Sequence, residues 1–549
     1  MMKTVRSARI RFLSVLAMLL IPPAVRARAL GDGPGIPRER YDSSELFKAL
    51  STFHSPEGTS WGNGAFYRGY LLLGIDVDED SAGFQFWDVS DPRKPKLVAQ
   101  KYDEESKRLR EIQNFSFARG YGRDLAAIPS HEGVEIWDFT DIQAPHRYGS
   151  ADLAHGGGKA IYNGIISAFW QPPYIYCGGM DGGLYVVDAR DPRAPHLVKN
   201  VPNSALNGRL AGPMFAVGNL LVATTMEFAY ESCAITTFDI SDPADPQIID
   251  RYSCATHEGS YTAFMNGNRI YGLGAQGRLL AFEISSSFEV NKRGQDTAWA
   301  DHGGYGMYQD GYVHAGMSDW YIKYDVRGYN PTQVGRFHVN GDNDWAMPIG
   351  NLVFVGDDDG PTSEGSLAPH QAGPDTLGPV VNWSQPVDEA VNIPVTSRVG
   401  LSFTDNIEFA SVDSNSVVVR PAGGAPLPGK LSVLEAIVNF TPDRPFEPRA
   451  DYEIFLPAGR LRDWGGTPSP RDTVIRFTTE TASSLQARRG RARAGGDYRL
   501  LRPAQGLGIG RGEGSRLRNP LGRALFPPDA GDPARIRLAP GLYILPVVR

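Results

Sequence analysis

An all-β chain, a six- or seven-bladed β-propeller followed by a β-sandwich and a short C-terminal β segment, is the fold class that the sequence predicts. Three observations carry it. A strand-and-turn motif returns at a nearly fixed period, most copies follow a second apolar run, and a later stretch alternates like strands but lacks the motif.

The first clear copy runs from Gly83 to Pro95 and contains Phe86-Trp87-Asp88-Val89-Ser90-Asp91-Pro92. It returns from Gly133 to Pro145, from Gly183 to Pro195 and from Ile235 to Pro246, and weaker copies stand at Leu279–Ser285 and Tyr321–Val326. The acidic position steps through 88, 138, 188, 239, 283 and 325. Each clear copy leads a β-branched and aromatic run into Asp-Pro or a second proline, which is a strand stopped by turn residues. Leu71-Leu72-Leu73-Gly74, Tyr174-Ile175-Tyr176-Cys177 and Leu220-Leu221-Val222-Ala223 are examples of the preceding run. Several short strands per step of about 40–50 residues fit a four-stranded propeller blade. Asp88, Asp138, Asp188 and Asp239 therefore read as turn-forming repeat positions rather than catalytic carboxylates.

These Ile-Trp-Asp-Val-Ser-Asp-Pro-like copies resemble the LVIVD repeat of bacterial proteins, from about Trp61 to Asp359. The resemblance implies propellers that are mostly extracellular and supplies no catalytic residue to carry over. The propeller domain is placed at residues 30–372. Tyr41 to His54, or the segment near Pro361, is expected to complete the last blade, because an open ring would leave a strand edge unpaired.

Residues 373–480 form the second domain. Val391–Val395, Val399–Ile407, Ala436–Pro442, Asp451–Leu456 and Ile475–Thr479 alternate with period two, and their span suits one sandwich. Phe403, Val418, Phe440, Tyr452 and Phe477 are its expected core, in a unit expected to fold alone. With Leu461-Arg462-Asp463-Trp464-Gly465-Gly466 before the last strand, the order resembles the bacterial Ig-like domain of the surface-layer SbsA type. That resemblance implies a spacer or adhesive module on an exported protein.

The two ends carry addresses. Lys3, Arg6, Arg9 and Arg11 precede an apolar run from Phe12 to Ile21, and Ala27-Arg28-Ala29 suits cleavage, so residues 1–29 read as a signal peptide. That run is half of what a bilayer span needs, so no transmembrane span is expected after cleavage. Residues 481–514 read as an Arg/Gly-rich linker. Residues 515–549, with Asn519–Leu525 and Leu538–Leu545, resemble the closing strands of type IX secretion sorting domains. The chain carries −7 overall, but the part from Thr481 onward sums to +9 and the body to −16. An acidic body excludes the clustered basic surface that nucleic acid requires. Cys177, Cys233 and Cys254 are too few for a disulfide framework; a Cys233–Cys254 bridge fits, and buried thiols fit better.

Candidate chemistry is sparse. His155, His257, His302 and His314 stand shortly before glycine or another small residue at scattered places along the blades and, gathered at one propeller face, would bind a ligand or a transition metal. Asp357, Asp358 and Asp359 offer the oxygen ligands that Ca²⁺ takes in loops, whereas Asp76, Asp78 and Asp80 lack the Gly and Glu of an EF-hand. No nucleophile elbow, phosphate loop or zinc-protease motif stands in a fitting context. The expectation is an exported, non-enzymatic binding or scaffold protein whose partner is an extracellular protein or polysaccharide. The alternative is a secreted hydrolase or lyase with its site on one propeller face.

Overall fold

The computed structural model describes residues 32–55, 60–78, 81–153, 164–179, 182–206, 211–225, 234–253, 260–274, 278–296, 303–357 and 364–481. Within them the chain is all-β and forms seven antiparallel four-stranded blades, which fixes the blade number between the two expected values. Blade 1 runs outward through Ser60–Tyr67, Tyr70–Asp78, Ser81–Asp88 and Lys96–Lys101. Blades 2 to 6 repeat this order, starting from Ser116–Arg119, Ile165–Gln171, Met214–Val217, Ser260–Asn266 and Gly306–Gln309.

The recurrent aspartates act as the sequence indicates. In blades 1 to 4, Oδ1 of Asp88, Asp138, Asp188 and Asp239 accepts the amide N–H two residues on, at 2.8–3.0 Å. The next aspartate repeats the device, Asp91 accepting from Arg93 and Asp141 from Gln143. Two successive Asx turns reverse the chain without spending ladder groups. Opposite the motif the outermost strand carries a bulge in each of blades 1 to 6, as at Phe86/Trp87 and Ile136/Trp137. A bulge adds local twist to each blade.

Blade 7 takes Asn343–Ile349, Leu352–Asp357 and Glu364–Pro369 from the end of the repeats and its outer strand, Ser51–His54, from before blade 1. Of the two expected closures the first holds; Pro361 lies outside the described residues. Phe53 pins this strand, its ring 4.8 Å from Trp87, 5.8 Å from Trp61 and 5.7 Å from Phe354. The indole N–H of Trp345 donates to the Trp61 carbonyl and joins blade 7 to blade 1. Closure thus buries four aromatic rings and removes the free edge.

The second domain is a sandwich of two sheets. One contains Val381–Gln385, Val399–Phe403, Ile437–Pro442 and Gly429–Leu434; the other contains Ala390–Ile393, Thr473–Thr479, Asp451–Leu456 and Val418–Pro421. Phe403, Val418, Phe440, Tyr452 and Phe477 are all buried. The first sheet does not end at its own edge. Strand Gly429–Leu434 pairs with Ser116–Arg119 of blade 2, placing Leu431 opposite Arg119 and Val433 opposite Phe117. Among the described residues no helix is long and apolar enough to cross a membrane.

Candidate functional site at the propeller seam

The sandwich caps the propeller, lying across the turns that join the first and second strands of the blades. The Arg68 amide donates to Glu408 Oε1, Arg119 to the Val412 carbonyl, the Gly267 amide to Ser402 Oγ and the Asp310 amide to the Thr404 carbonyl, at 2.6–2.8 Å. Asn219 Nδ2 donates to Ser397 Oγ and Arg398 to the Ile240 carbonyl. Each turn amide would otherwise be a buried orphan.

The hairpin joining Gly429–Leu434 to Ile437–Pro442 enters the axial channel. Its tip, Leu434 and Glu435, meets Asn63, Asn114, Ser167, Thr262 and Tyr305 from five blades, leaving about 30 Å³. That is the room of roughly one water. Glu435 adopts φ 50°, and its partly exposed side chain faces this remnant. Burial pushes its carboxyl up from 4.5 to about 7. Between those values the native state keeps a proton that the unfolded chain has lost, so this group's contribution to stability falls as pH rises through the window. Glu435→Gln is therefore expected to stabilise the protein by about 2–3 kcal/mol at pH 8 and to change little at pH 4. Urea midpoints at the two pH values check this; an equal gain at both would show that charge is not the cause.

Of the expected site residues, His314 is fully buried between blades 6 and 7, with Nδ1 2.8 Å from the Tyr321 hydroxyl and its ring 4.5 Å from that of His370. Lys323 donates to His370 Nδ1, so the neutral His370 ring carries its proton on Nε2 and donates to the Gly350 carbonyl. Burial and the Lys323 charge push both imidazoles well below their ordinary range, and burial pushes the lysine down to about 8. This interior network holds His314 away from solvent. His155, His257 and His302 lie outside the described residues, as do Asp358 and Asp359. Asp357 is buried and its Oδ1 accepts the Asp342 amide N–H at 2.9 Å. Cys177 is a buried free thiol; Cys233 and Cys254 fall outside the described residues.

Two features of the seam escaped the sequence reading. The first is a group of carboxylates. Asp310 stands in the first turn of blade 6, Asp375 precedes the sandwich, Asp405 follows strand Val399–Phe403, and oxygens of these three lie within 4.8 Å of one another. Asp463 is fully buried and shares their field. Burial, reinforced by the neighbouring carboxylates, raises the pKa of Asp310, Asp405 and Asp463. For Asp375 burial alone does so.

The second is a cleft of about 520 Å³ between residues 32–38, the blade 1 turn at Arg68–Gly69 and the sandwich segments 408–416 and 459–466. Arg38, Arg68, Arg460 and Arg462 line it against Asp32, Glu408, Asp413 and Asp463. Arg68 is held by Asp124 at 3.2 Å, whereas Arg460 and Arg462 are exposed. Guanidinium groups on one wall suit carboxylate or sulfate oxygens.

The profile of the family described as bacterial Ig-like domain matches residues 375–479, which is the capping sandwich. No curated protein sequence matches the chain. Similar solved structures include the WD40 β-propeller domain of Doa1, with 9% identity, TM-score 0.41, and coverage of 59% of this chain and 96% of that one. The Cps50 (Swd1) β-propeller domain of Myceliophteria thermophila shows 13% identity and TM-score 0.41 over 57% of this chain and 98% of that one. BamB from Moraxella catarrhalis shows 14% identity and TM-score 0.37 over 56% of this chain and 84% of that one.

Proposed function

We propose that the chain is an exported, non-enzymatic binding or scaffold protein whose arginine-lined cleft takes an anionic extracellular partner, a protein or a polysaccharide. The observation that carries this reading is the cleft itself. It is bounded by propeller and sandwich together, and its exposed Arg460 and Arg462 project from a wall that the cap supplies. The propeller and the Ig-like domain are both consistent with a binding or scaffold role. The filled channel weighs in the same direction, since Leu434 and Glu435 occupy the place where an axial catalytic pocket would open on this side. In this reading residues 1–29 direct export, and residues 515–549 deliver the chain to the cell surface.

The purified protein is expected to bind immobilised acidic polysaccharides, such as uronate polymers, and to ignore neutral glucans. Arg460→Glu combined with Arg462→Glu is expected to weaken that binding at least tenfold, with thermal unfolding unchanged because both side chains are exposed. Binding that survives the double variant would remove the cleft from the account. Depolymerisation of the polymer by the wild type would restore the hydrolase or lyase reading.

A further inference from the structure

We propose that Asp310, Asp375, Asp405 and Asp463 form a calcium site that locks the Ig-like cap onto the propeller. The group spans the seam: Asp310 belongs to the first turn of blade 6, Asp405 and Asp463 to the sandwich, and Asp375 to the segment entering it. Three of the four carboxylates are already oriented by N–H donors. Gln309 Nε2 and the Asn406 amide hold the two oxygens of Asp405, the Leu377 amide holds Asp375 Oδ1, and the Thr467 amide holds Asp463 Oδ1.

A second observation points to a ligand. Asp463 is 0% exposed and Asp375 7%, yet among the described residues Oδ2 of each lacks a hydrogen-bond donor. A Cβ placed on Gly465 would lie 3.2 Å from Asp463 Oδ1 and 3.3 Å from Asp375 Oδ2, so both carboxylates face one small space beside that glycine. Leaving a carboxylate oxygen buried without a donor is unfavourable, and more so when it is charged. A cation repays that cost where a proton does so only in part.

Charge and donor chemistry select the ion. Arg38 and Lys323 act on the group only through their charge, and among the described residues neither forms an ion pair with it. Four carboxylates without an ion-paired side chain favour a divalent cation over a monovalent one. The donors are all oxygen, which excludes the softer transition metals. Calcium accepts an irregular set of carboxylate oxygens such as this one, whereas magnesium demands octahedral regularity at about 2.1 Å.

The test uses the full chain, freed of metal with EGTA and returned to buffer. Equilibrium dialysis against radioactive calcium is expected to show this site filled in the wild type, and 1 mM calcium to raise the unfolding midpoint by about 5 °C over EGTA. In Asp405→Asn or Asp463→Asn the calcium affinity is expected to fall at least tenfold and the midpoint shift to vanish, while the midpoint in EGTA stays at or above that of the wild type, because one buried charge is gone. Asp310→Asn, at the half-exposed edge, repeats the comparison should either buried variant not fold. A wild type that binds no calcium at millimolar concentration, or variants that bind and respond as the wild type does, would overturn the site.

Discussion

Replacing Gly400 by valine is expected to pry the cap from the propeller. Gly400 lies on strand Val399–Phe403, paired with Asn439 on one side and Gln385 on the other. A Cβ at this position would stand 2.0 Å from the Gly218 nitrogen and 2.4 Å from the Val217 carbonyl carbon. Both are backbone atoms of the first turn of blade 4, so no side-chain rotation relieves the overlap. Gly218 is itself at φ +59°, and a Cβ on it would meet Gln385 at 2.6 Å, so the two chains approach as closely as glycine permits. Close-packed interiors transmit such a clash rather than absorb it, and a loss of about 4 kcal/mol or more is expected. Calorimetry should show the joint unfolding of propeller and sandwich split into two transitions. Gly373→Ala is the control, since its nearest neighbour would be 4.0 Å away. A single transition at the wild-type midpoint would show that the seam does not hold the domains together.

The parts of this architecture that recur along the chain were legible in the sequence, and the parts that occur once were not. The blades repeat a strand, an Asx turn and a proline at a steady step, so each copy corroborates the others. The sandwich core was legible from its strand pattern: Tyr452 and Phe477 stand on the buried phase of period-two strands, whereas Phe403 and Phe440 lie on strands buried on both faces. Strand Gly429–Leu434 was missed because its hairpin turns at Leu434-Glu435-Ala436, with Glu435 rather than glycine or asparagine at positive φ. The turn tolerates that strain because the tip sits inside the channel among residues of six blades. The carboxylate group was illegible for a different reason. Its members are spread from residue 310 to residue 463 and meet only where two domains dock, a distance that no local pattern encodes. The run Asp357 to Asp359, by contrast, is contiguous and so visible in the sequence, although Asp358 and Asp359 lie outside the described residues. Docking also changes what the Ig-like resemblance implies: here the module covers seven-bladed backbone instead of extending from it.

Asn439→Leu is expected to do by hydrogen bonding what Gly400→Val does by volume. Asn439 lies on strand Ile437–Pro442, is 1% exposed, and reaches across the seam into the groove between blades 3 and 4. Its Oδ1 accepts from Gln171 Nε2 at 3.0 Å and from the Gly218 amide at 2.9 Å, and its Nδ2 donates to the Ala216 carbonyl at 2.8 Å. Gln171 retains the Gly218 carbonyl as an acceptor, so its amide keeps one partner. Leucine has nearly the same volume and shape but offers neither donor nor acceptor, leaving the Gly218 N–H and the Ala216 C=O buried without partners. Each orphan costs about 1–3 kcal/mol, so the variant should lose about 4 kcal/mol in urea denaturation, with a native circular dichroism spectrum in water. Hydrogen exchange locates the cause, because the Gly218 amide should lose protection far more than amides of the outer strands. Asn382→Ala gives the scale: Asn382 is exposed, its Nδ2 donates to Asn266 Oδ1 at the same seam, and its removal should cost less than about 1 kcal/mol. If Asn439→Leu matched Asn382→Ala, the buried amide would be packing filler, and the cap would be held by its apolar contacts and ion-bridged carboxylates instead.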